Sequence, residues 1–489
     1  MRKKGSITVY AALILGVMMA LIITCLTSSR MASARAQIAS AAQIGLFSAF
    51  GSYDRELLED YEVFALNLGG SSSAADLASF SRTVQDYMDD VLKQNSQNLK
   101  LSSFGLSGYR LLTDEGGEPF FRQAVLYEKE NGESREAYAR LEKWMGYFEE
   151  AEEKIESAAG EEASDWFGRY ASAMEEAEIL SREALMAETE DLLGDGTEEL
   201  YLPYEETDFT TVTDPVPVIR SISETGITAF LLPGTAGEAY PASSSPLFSQ
   251  RSALSGTGIF DGFAPDDSGE SEILFQYYIQ EKLGNYLRPK EGFPAYQMEY
   301  IVEREDSDRR NLEKTAERIF LLRLGIILDI LEGNEIYRAQ LEELSDTICS
   351  VFIVPPDQSI VYGTLKYCWA YGEALCETNE ILSGGAVPFE NDAEVFVPLS
   401  GLYDIMDYFG SGTGNTGDGE YEDYLVLFMS GLTKEDKLSG TLDAVEGSVR
   451  GSGRGSFYID HCLVDAEILA QVRANGRKTF NVTKTYGYD

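Results

Sequence analysis

The sequence predicts an α+β protein: one N-terminal transmembrane helix extended outside the membrane, then a mainly helical extracytoplasmic region with a helical hairpin and small sheets. Three observations lead there. An apolar run from Ile7 to Leu26 carries no charged residue, helical periodicity recurs through the rest, and Leu101–Leu112 alternates with the period of a strand.

About twenty residues at about 1.5 Å each span the ~30 Å hydrocarbon core of a bilayer. Arg2, Lys3 and Lys4 stand directly before the run and an acidic chain follows it, which orients the N-terminus to the cytoplasm. The expected order is a cytoplasmic tip (1–5), a transmembrane helix (7–28) and an extracytoplasmic continuation of that helix (29–66), giving a single-pass protein of the cell membrane. A cleaved secretory signal is the rival reading, with Ala32-Ser33-Ala34 as its small-residue site, although such apolar stretches are typically only ~7–15 residues. Thr24 is a poor residue ahead of a lipidated Cys25.

Arg30 to Phe50 continues without proline, and Met31, Ile38, Leu46 and Phe50 recur at helical spacing. A continuous helix from Ile7 to Phe50 is about 66 Å long. Ala34, Ala41, Gly45 and Ser48 form a small-residue stripe that lets another helix approach closely, from its own domain or from a neighbouring subunit.

After a loop at Gly69–Ser73 comes a helical region (76–195), with a helix at 76–95 and then the alternating Leu101–Leu112, which reads as a strand or two. Its clearest periodicity is Trp166, Tyr170, Ala173, Ala177, Leu180, Ala184 and Ala187, a heptad seam. Tyr138, Leu141, Met145, Phe148 and Ile155 offer a matching arm, and Ala158-Ala159-Gly160 a turn, so residues 135–195 read as a coiled-coil-like hairpin with glutamates on its solvated faces. Residues 196–271 are rich in Pro, Ser and Gly and read as irregular, with Ile227–Leu232 a short buried strand. The remainder (272–489) reads as an α+β C-terminal domain. Its helices are at 272–287, 309–331 (capped by Asp306 or Ser307), 336–349, 358–382, 422–431 and 435–447, and its strands at Tyr296–Val302, 456–461 and 478–486.

The 489 residues, 44% apolar, suffice for two or more domains, and 82 Asp and Glu against 39 Lys and Arg leave a net charge of −43. Such a field repels nucleic acid and anionic headgroups from the soluble part. Catalytic signatures are sparse. The one histidine, His461, stands between Asp460 and Cys462; on a strand those two share one face and the histidine points to the other, as a surface or edge residue. No CxxC or HExxH run occurs. Asp266, Asp267, Glu270 and Glu272, and the loop Asn415–Glu420, supply oxygen ligands suited to Ca²⁺ but follow no EF-hand spacing. The tract Arg450–Gly455 lacks the lysine of a phosphate cradle and reads as a flexible turn. Glu373, on an apolar helix, reads as a buried partner of Arg323 or Arg318. Cys349, Cys368, Cys376 and Cys462 allow two disulfides, with the pairing open. Nothing here calls for an enzyme or a cofactor.

Three stretches carry a resemblance. Lys4-Gly5-Ser6-Ile7-Thr8-Val9-Tyr10, followed by the apolar run, resembles the leader of TadE- and TadG-type pseudopilins of the tight-adherence (Flp) pilus system. Tyr53–Leu58 with Tyr61 and Phe64 is the second. The third comprises Glu299–Val302, Ser307-Asp308, Asn311-Leu312, Trp369-Ala370, Glu373 and Gly384–Pro388. Together they resemble a family of large clostridial surface proteins with pseudopilin-like leaders. The resemblance implies cleavage between Gly5 and Ser6, the candidate leader-processing residues. It also implies a glutamate five residues into the mature chain, where this sequence has Tyr10.

The expected function is therefore that of a membrane-anchored extracytoplasmic structural or interaction protein associated with Tad-type pilus assembly. Its partners would be the lipid bilayer through residues 7–28 and pseudopilin or pilus-assembly proteins, and not nucleic acid. Alternatives are a membrane-tethered surface hydrolase and a surface adhesin or sensor.

Overall fold

A computed structural model describes residues 4–71, 74–94, 98–131, 153, 155–156, 163–193, 214–232, 234, 245–258, 260, 266–389, 394–409, 419–475 and 478–488. The chain folds into two compact units, each assembled from separated stretches: residues 1–132, 244–278 and 441–489 form the first, residues 133–243 and 279–440 the second. The architecture is mostly helical with small sheets.

The first unit is built on a 47-residue helix, α1 (Lys4–Phe50). A short α2 (Arg55–Tyr61) and α3 (Leu77–Lys93) follow, each started by an aspartate: the Asp54 and Asp76 side chains accept from Leu57 N and Ser79 N. The main sheet is antiparallel. Its central strand β5 (Cys462–Ala474) pairs with β4 (Leu99–Leu111) on one side; on the other it pairs with β6 (Lys478–Gly487) and, near its start, with β1 (Leu66–Asn67). A separate two-stranded sheet joins β2 (Gly70–Ser71) to β3 (Ala74–Ala75). Alternation puts Ala466, Ile468, Ala470 and Val472 of β5 on one face, where they meet Ala34–Phe50 of α1 and the Phe80, Val84, Met88 and Leu92 stripe of α3. Leu101–Leu112 thus becomes one strand, interrupted by three register shifts. Also here is α4 (Glu118–Asn131), whose Phe120 and Phe121 pack on Phe275.

The second unit is helical. Along the chain come α5 (Ala163–Leu193), α6 (Val216–Thr225) and the one-turn α7 (Thr228–Leu231). Most of α8 (Gly269–Lys282) belongs to the first unit, whose middle stretch ends at Tyr278. The second unit continues with α9 (Gln297–Glu303), α10 (Asp308–Gly333), α11 (Glu335–Cys349), α12 (Gln358–Leu382), α13 (Tyr421–Ser430) and the start of α14 (Lys434–Gly451), which from Thr441 is part of the first unit. The core centres on α12, which carries buried residues around its whole circumference and packs on α10, α11 and α5. Ser307 caps α10, as its position in the sequence suggests.

Three expected strands are not strands. Ile227–Leu232 contains α7, and the prolines upstream, expected to keep the segment irregular, start α6: Pro215 is its N-cap and Pro217 lies in its first turn, where no backbone donor is lost. Tyr296–Val302 is α9. Its β-branched and aromatic residues favour a strand, but Gln297 to Val302 are all buried, so no two-faced pattern separates the alternatives and tertiary packing decides. At 456–461 the chain forms a turn and a short 3₁₀ segment (Ile459–His461), and the strand begins only at Cys462.

The expected second arm of the hairpin is α5, whose buried line of Phe167, Tyr170, Ala177 and Ser181, flanked by half-buried Met174, is set against α12 and α6. Of the expected seam, Tyr170 and Ala177 lie on this line, Ala173 is half-buried and Leu180 is exposed. Trp166 stacks on Tyr367, at a place where only Gly363 fits: an added Cβ there would lie 2.6 Å from the indole. The first arm, apart from Ile155, and its turn lie outside the described residues, as do Asn415–Asp418.

Candidate functional site

The sequence's strongest feature, α1, changes character along its length. From Ile7 to Ser29 it is apolar or small on every side and wholly exposed. From Ala34 the pattern becomes one-faced: Ala34, Ile38, Ala41, Ala42, Leu46, Ala49 and Phe50 are buried. The exposed part is long and apolar enough to cross a membrane. Two of its hydroxyls are satisfied within the helix, Thr24 and Thr27 donating to the carbonyls of Ala20 and Ile23 at 2.7 Å, which suits an apolar surrounding. Gly5 and Ser6 lie in the first turns of α1, which begins at Lys4, and Tyr10 is 71% exposed one turn further on. Arg2 and Lys3 lie outside the described residues.

The small-residue stripe in the outer half serves the protein's own unit. A Cβ on Gly45 would meet the Val84 carbonyl at 3.1 Å and Met88 Cβ at 3.3 Å, so the glycine is what lets α3 come close. The end of α1 is held by the C-terminal aromatics. Tyr486 packs edge-on against Phe47 and Phe50, Tyr488 stacks on Phe64, and its hydroxyl donates to the Phe50 carbonyl. Just beyond, Asp54 receives Arg454 Nη1 at 2.9 Å and Nη2 at 2.5 Å, and Glu56 shares the same guanidinium at 3.0 Å. Arg454 and burial push the Asp54 carboxyl in opposite directions, and the net shift is downward. The Gly-rich tract around Arg454 is thus a fixed turn, and Arg450 within it is a buried donor to the Phe457 carbonyl.

Charges that sequence reasoning left apart form a buried clasp in this unit. Arg251 reaches Glu446 with two 2.5 Å bonds and Asp460 with one of 2.6 Å. Asp460 also accepts from Leu254 N, Glu446 from Ile459 N, and Asp443 from Ser249 N and its hydroxyl. His461, expected at the surface, is buried. It sits on a 3₁₀ turn instead of a strand, and its Nδ1 meets the Gly69 carbonyl at 2.9 Å. No nucleophile is bonded to it among the described residues.

The second unit holds buried acids. Glu299 accepts from Tyr286 N at 2.7 Å and the Tyr421 hydroxyl at 2.6 Å; burial pushes its carboxyl up to about 7. Asp308 accepts from Ala295 N and Tyr296 N and is pushed up to about 6, again by burial. Glu373 accepts from Phe396 N and Val397 N at 2.6 Å each, and burial with Glu377 nearby pushes it up. It is therefore not the ion-pair partner expected for Arg323. That partner is Glu377, one turn on, at 2.7 Å from Nε, while Arg323 Nη1 donates to the Pro388 carbonyl and Arg318 reaches Glu303. Asp308 and Glu373 spend their oxygens on backbone N–H groups of a neighbouring loop, and Glu299 divides Oε1 between a backbone N–H and a tyrosine hydroxyl, all positioning roles.

No group of three or more His, Cys, Asp or Glu suited to a metal gathers among the described residues. In the acidic cluster, Asp266 is a cap: it accepts from Ser268 and Ser271, whose hydroxyls hold its carboxyl down at about 2. An open groove of about 590 Å³ beside α5 is lined by Ala173, Leu180, Pro355 and Pro356.

A match to a protein family described as a family of unknown function, DUF5702, covers residues 205–474, more than half of the chain. The chain belongs to this family. The DUF5702 stretch contains the Arg251–Glu446–Asp460 clasp, the buried acids of the second unit and strand β5, together with the motifs Glu299–Val302, Trp369-Ala370 and Gly384–Pro388. It leaves out α1 and its leader, and no pilus-family match supports the leader resemblance. No curated protein and no solved structure matches the chain.

Proposed function

We propose that this DUF5702 protein is a membrane-anchored extracytoplasmic structural or interaction protein of the pseudopilin type, associated with the assembly of a tight-adherence pilus. The observation that carries the reading is α1 itself. One unbroken helix has a bare, charge-free half, and its other half is built into the core of an acidic unit. Without a break between the halves, whatever holds the apolar half also sets the position of the folded unit. Lys4 and the two basic residues before it orient the anchor with its N-terminus in the cytoplasm. The leader Lys4–Tyr10 supplies the pseudopilin element, with Gly5 and Ser6 as the processing site.

The test is mass spectrometry of the native N-terminus in cells with and without the prepilin peptidase. A new N-terminus at Ser6 that depends on the peptidase supports pilus biogenesis. An intact leader removes the pilus component and leaves an anchored surface protein, and a cut near Ala34 removes the anchor as well.

A further inference from the structure

We infer that the end of the first unit nearest the apolar half of α1 is a cationic seat for the anionic lipid headgroups of the outer leaflet. This rests on the proposal that Ile7–Ser29 spans the bilayer. Strand register brings Lys100 on β4 opposite Arg473 on β5, which is itself opposite Thr479 on β6; Lys478 lies beside them, opposite Ala474. Lys478 Nζ reaches Met31 Sδ at 3.1 Å, and Arg35 lies over the Phe480 ring at 5.8 Å. The sheet end therefore stands level with residues 31–35 of α1, about 3–9 Å along the axis from Ser29, where the apolar stretch stops. Arg30 completes a group of five exposed cations, none of which has an ion-pair partner among the described residues. Neither α1 nor β6 contains an acid, in a chain with 82. On α3, whose last turn packs with Leu99, Asp89 and Asp90 are taken up by Lys93 at 3.3 and 3.1 Å.

The overall charge of −43 argues for repulsion from an anionic membrane, but a field of that kind is screened beyond a Debye length of about 8 Å at physiological salt. Within that distance of the bilayer the five cations dominate. Phosphate diesters of anionic lipids match exposed arginines and lysines of this kind, and the seat would hold the unit close to the surface.

The test is lysine acylation of the full chain in nanodiscs, read by mass spectrometry. The bilayers are either phosphatidylcholine alone or phosphatidylcholine with about one third phosphatidylglycerol. An anionic surface potential of about −30 to −50 mV raises a nearby lysine's pKa by roughly 0.5–0.8 unit, so Lys100 and Lys478 should react about three- to seven-fold more slowly in the anionic discs. Lys484, further along β6, should keep its rate, and high salt should abolish the difference. Arg30→Gln with Arg35→Gln should reduce it without altering the acylation of Lys484. Equal rates at Lys100 and Lys478 in the two bilayers overturn the inference. So does the same slowing produced by inorganic phosphate in neutral discs, which would mark a site for small anions. Failure of α1 to insert shows separately, as loss of the chain from both kinds of disc on alkaline carbonate washing.

Discussion

Arg251 and Glu446 meet in a two-pronged pair, Nη1 to Oε1 and Nη2 to Oε2, both at 2.5 Å, with the carboxylate fully buried. The arginine belongs to a stretch that runs beside α14, and its third bond, to Asp460, ties the same guanidinium to the chain just before β5. One side chain thus joins its own segment to two others about 200 residues on.

Arg251→Met should therefore cost roughly 3–5 kcal/mol, because it strands the buried Asp460 carboxylate without its cation and leaves Glu446 with Arg450 alone, at 2.7 Å. Chemical denaturation of the full chain reads this as a lower midpoint for the first unit. Lys93→Met, which removes a surface pair with Asp89 and Asp90, should leave the midpoint unmoved. Equal midpoints for the two variants would show that the clasp adds nothing.

The buried acids of the second unit make its stability fall as pH rises. Glu299 and Asp308 titrate at about 7 and about 6 in the folded chain, against about 4.3 and 3.9 when unfolded. Between those limits the folded state holds more protons, so the stabilisation is complete below about pH 4 and is lost as pH rises through about 7. For Glu299 the difference amounts to roughly 3–4 kcal/mol. Urea midpoints at pH 5 and pH 8 should show the drop, and Glu299→Gln should flatten it while keeping acceptors for Tyr286 N and Tyr421. A wild-type midpoint independent of pH, with no change of slope in the variant, would falsify this.

Much of the fold is legible in the sequence wherever one periodicity prevails. The helices at 309–331, 336–349 and 358–382, and the continuous α1, follow from apolar spacing and from Ser307 as a cap. Legibility fails where burial is uniform, as in α9, and where prolines begin a helix instead of ending one, as in α6. The polar anchors were missed for another reason. Arg251, Glu446 and Asp460 are up to 209 residues apart, and nothing local sets Arg251 apart from any other arginine. The Arg323 pair was missed by one helical turn: Glu373 and Glu377 share a face of α12, and only the loops at 388 and 396–397 decide which acid meets the arginine and which the backbone.

The corrected line of α5 separates two substitutions that a seam through Ala177 and Leu180 would make equally harmful. Ala177 is 2% exposed and faces the unit's interior, whereas Leu180 is 39% exposed at the rim of the groove beside Pro355. Ala177→Asp should bury an uncompensated charge and cost several kcal/mol. Leu180→Asp should shift the unfolding midpoint by an amount typical of a surface site, about 0.5 kcal/mol or less. If the two variants lose stability equally, the packing line through Phe167, Tyr170, Met174, Ala177 and Ser181 is wrong.

The cysteines offer a reading of the same core without mutation. Cys349, Cys368, Cys376 and Cys462 are free and buried, and burial pushes each thiol upward, so little thiolate forms near neutral pH and no reagent reaches it. Cys25 lies within the apolar run of α1, where a bilayer would shield it. The native, membrane-held chain should resist a membrane-impermeant maleimide and migrate identically with and without reductant, and in denaturant all 5 thiols should react. A shift on reduction would mean that two of the four buried cysteines are bridged. A fast native reaction at Cys368 or Cys462 would mean that the core around α12, or the start of β5, opens far more readily than its packing implies.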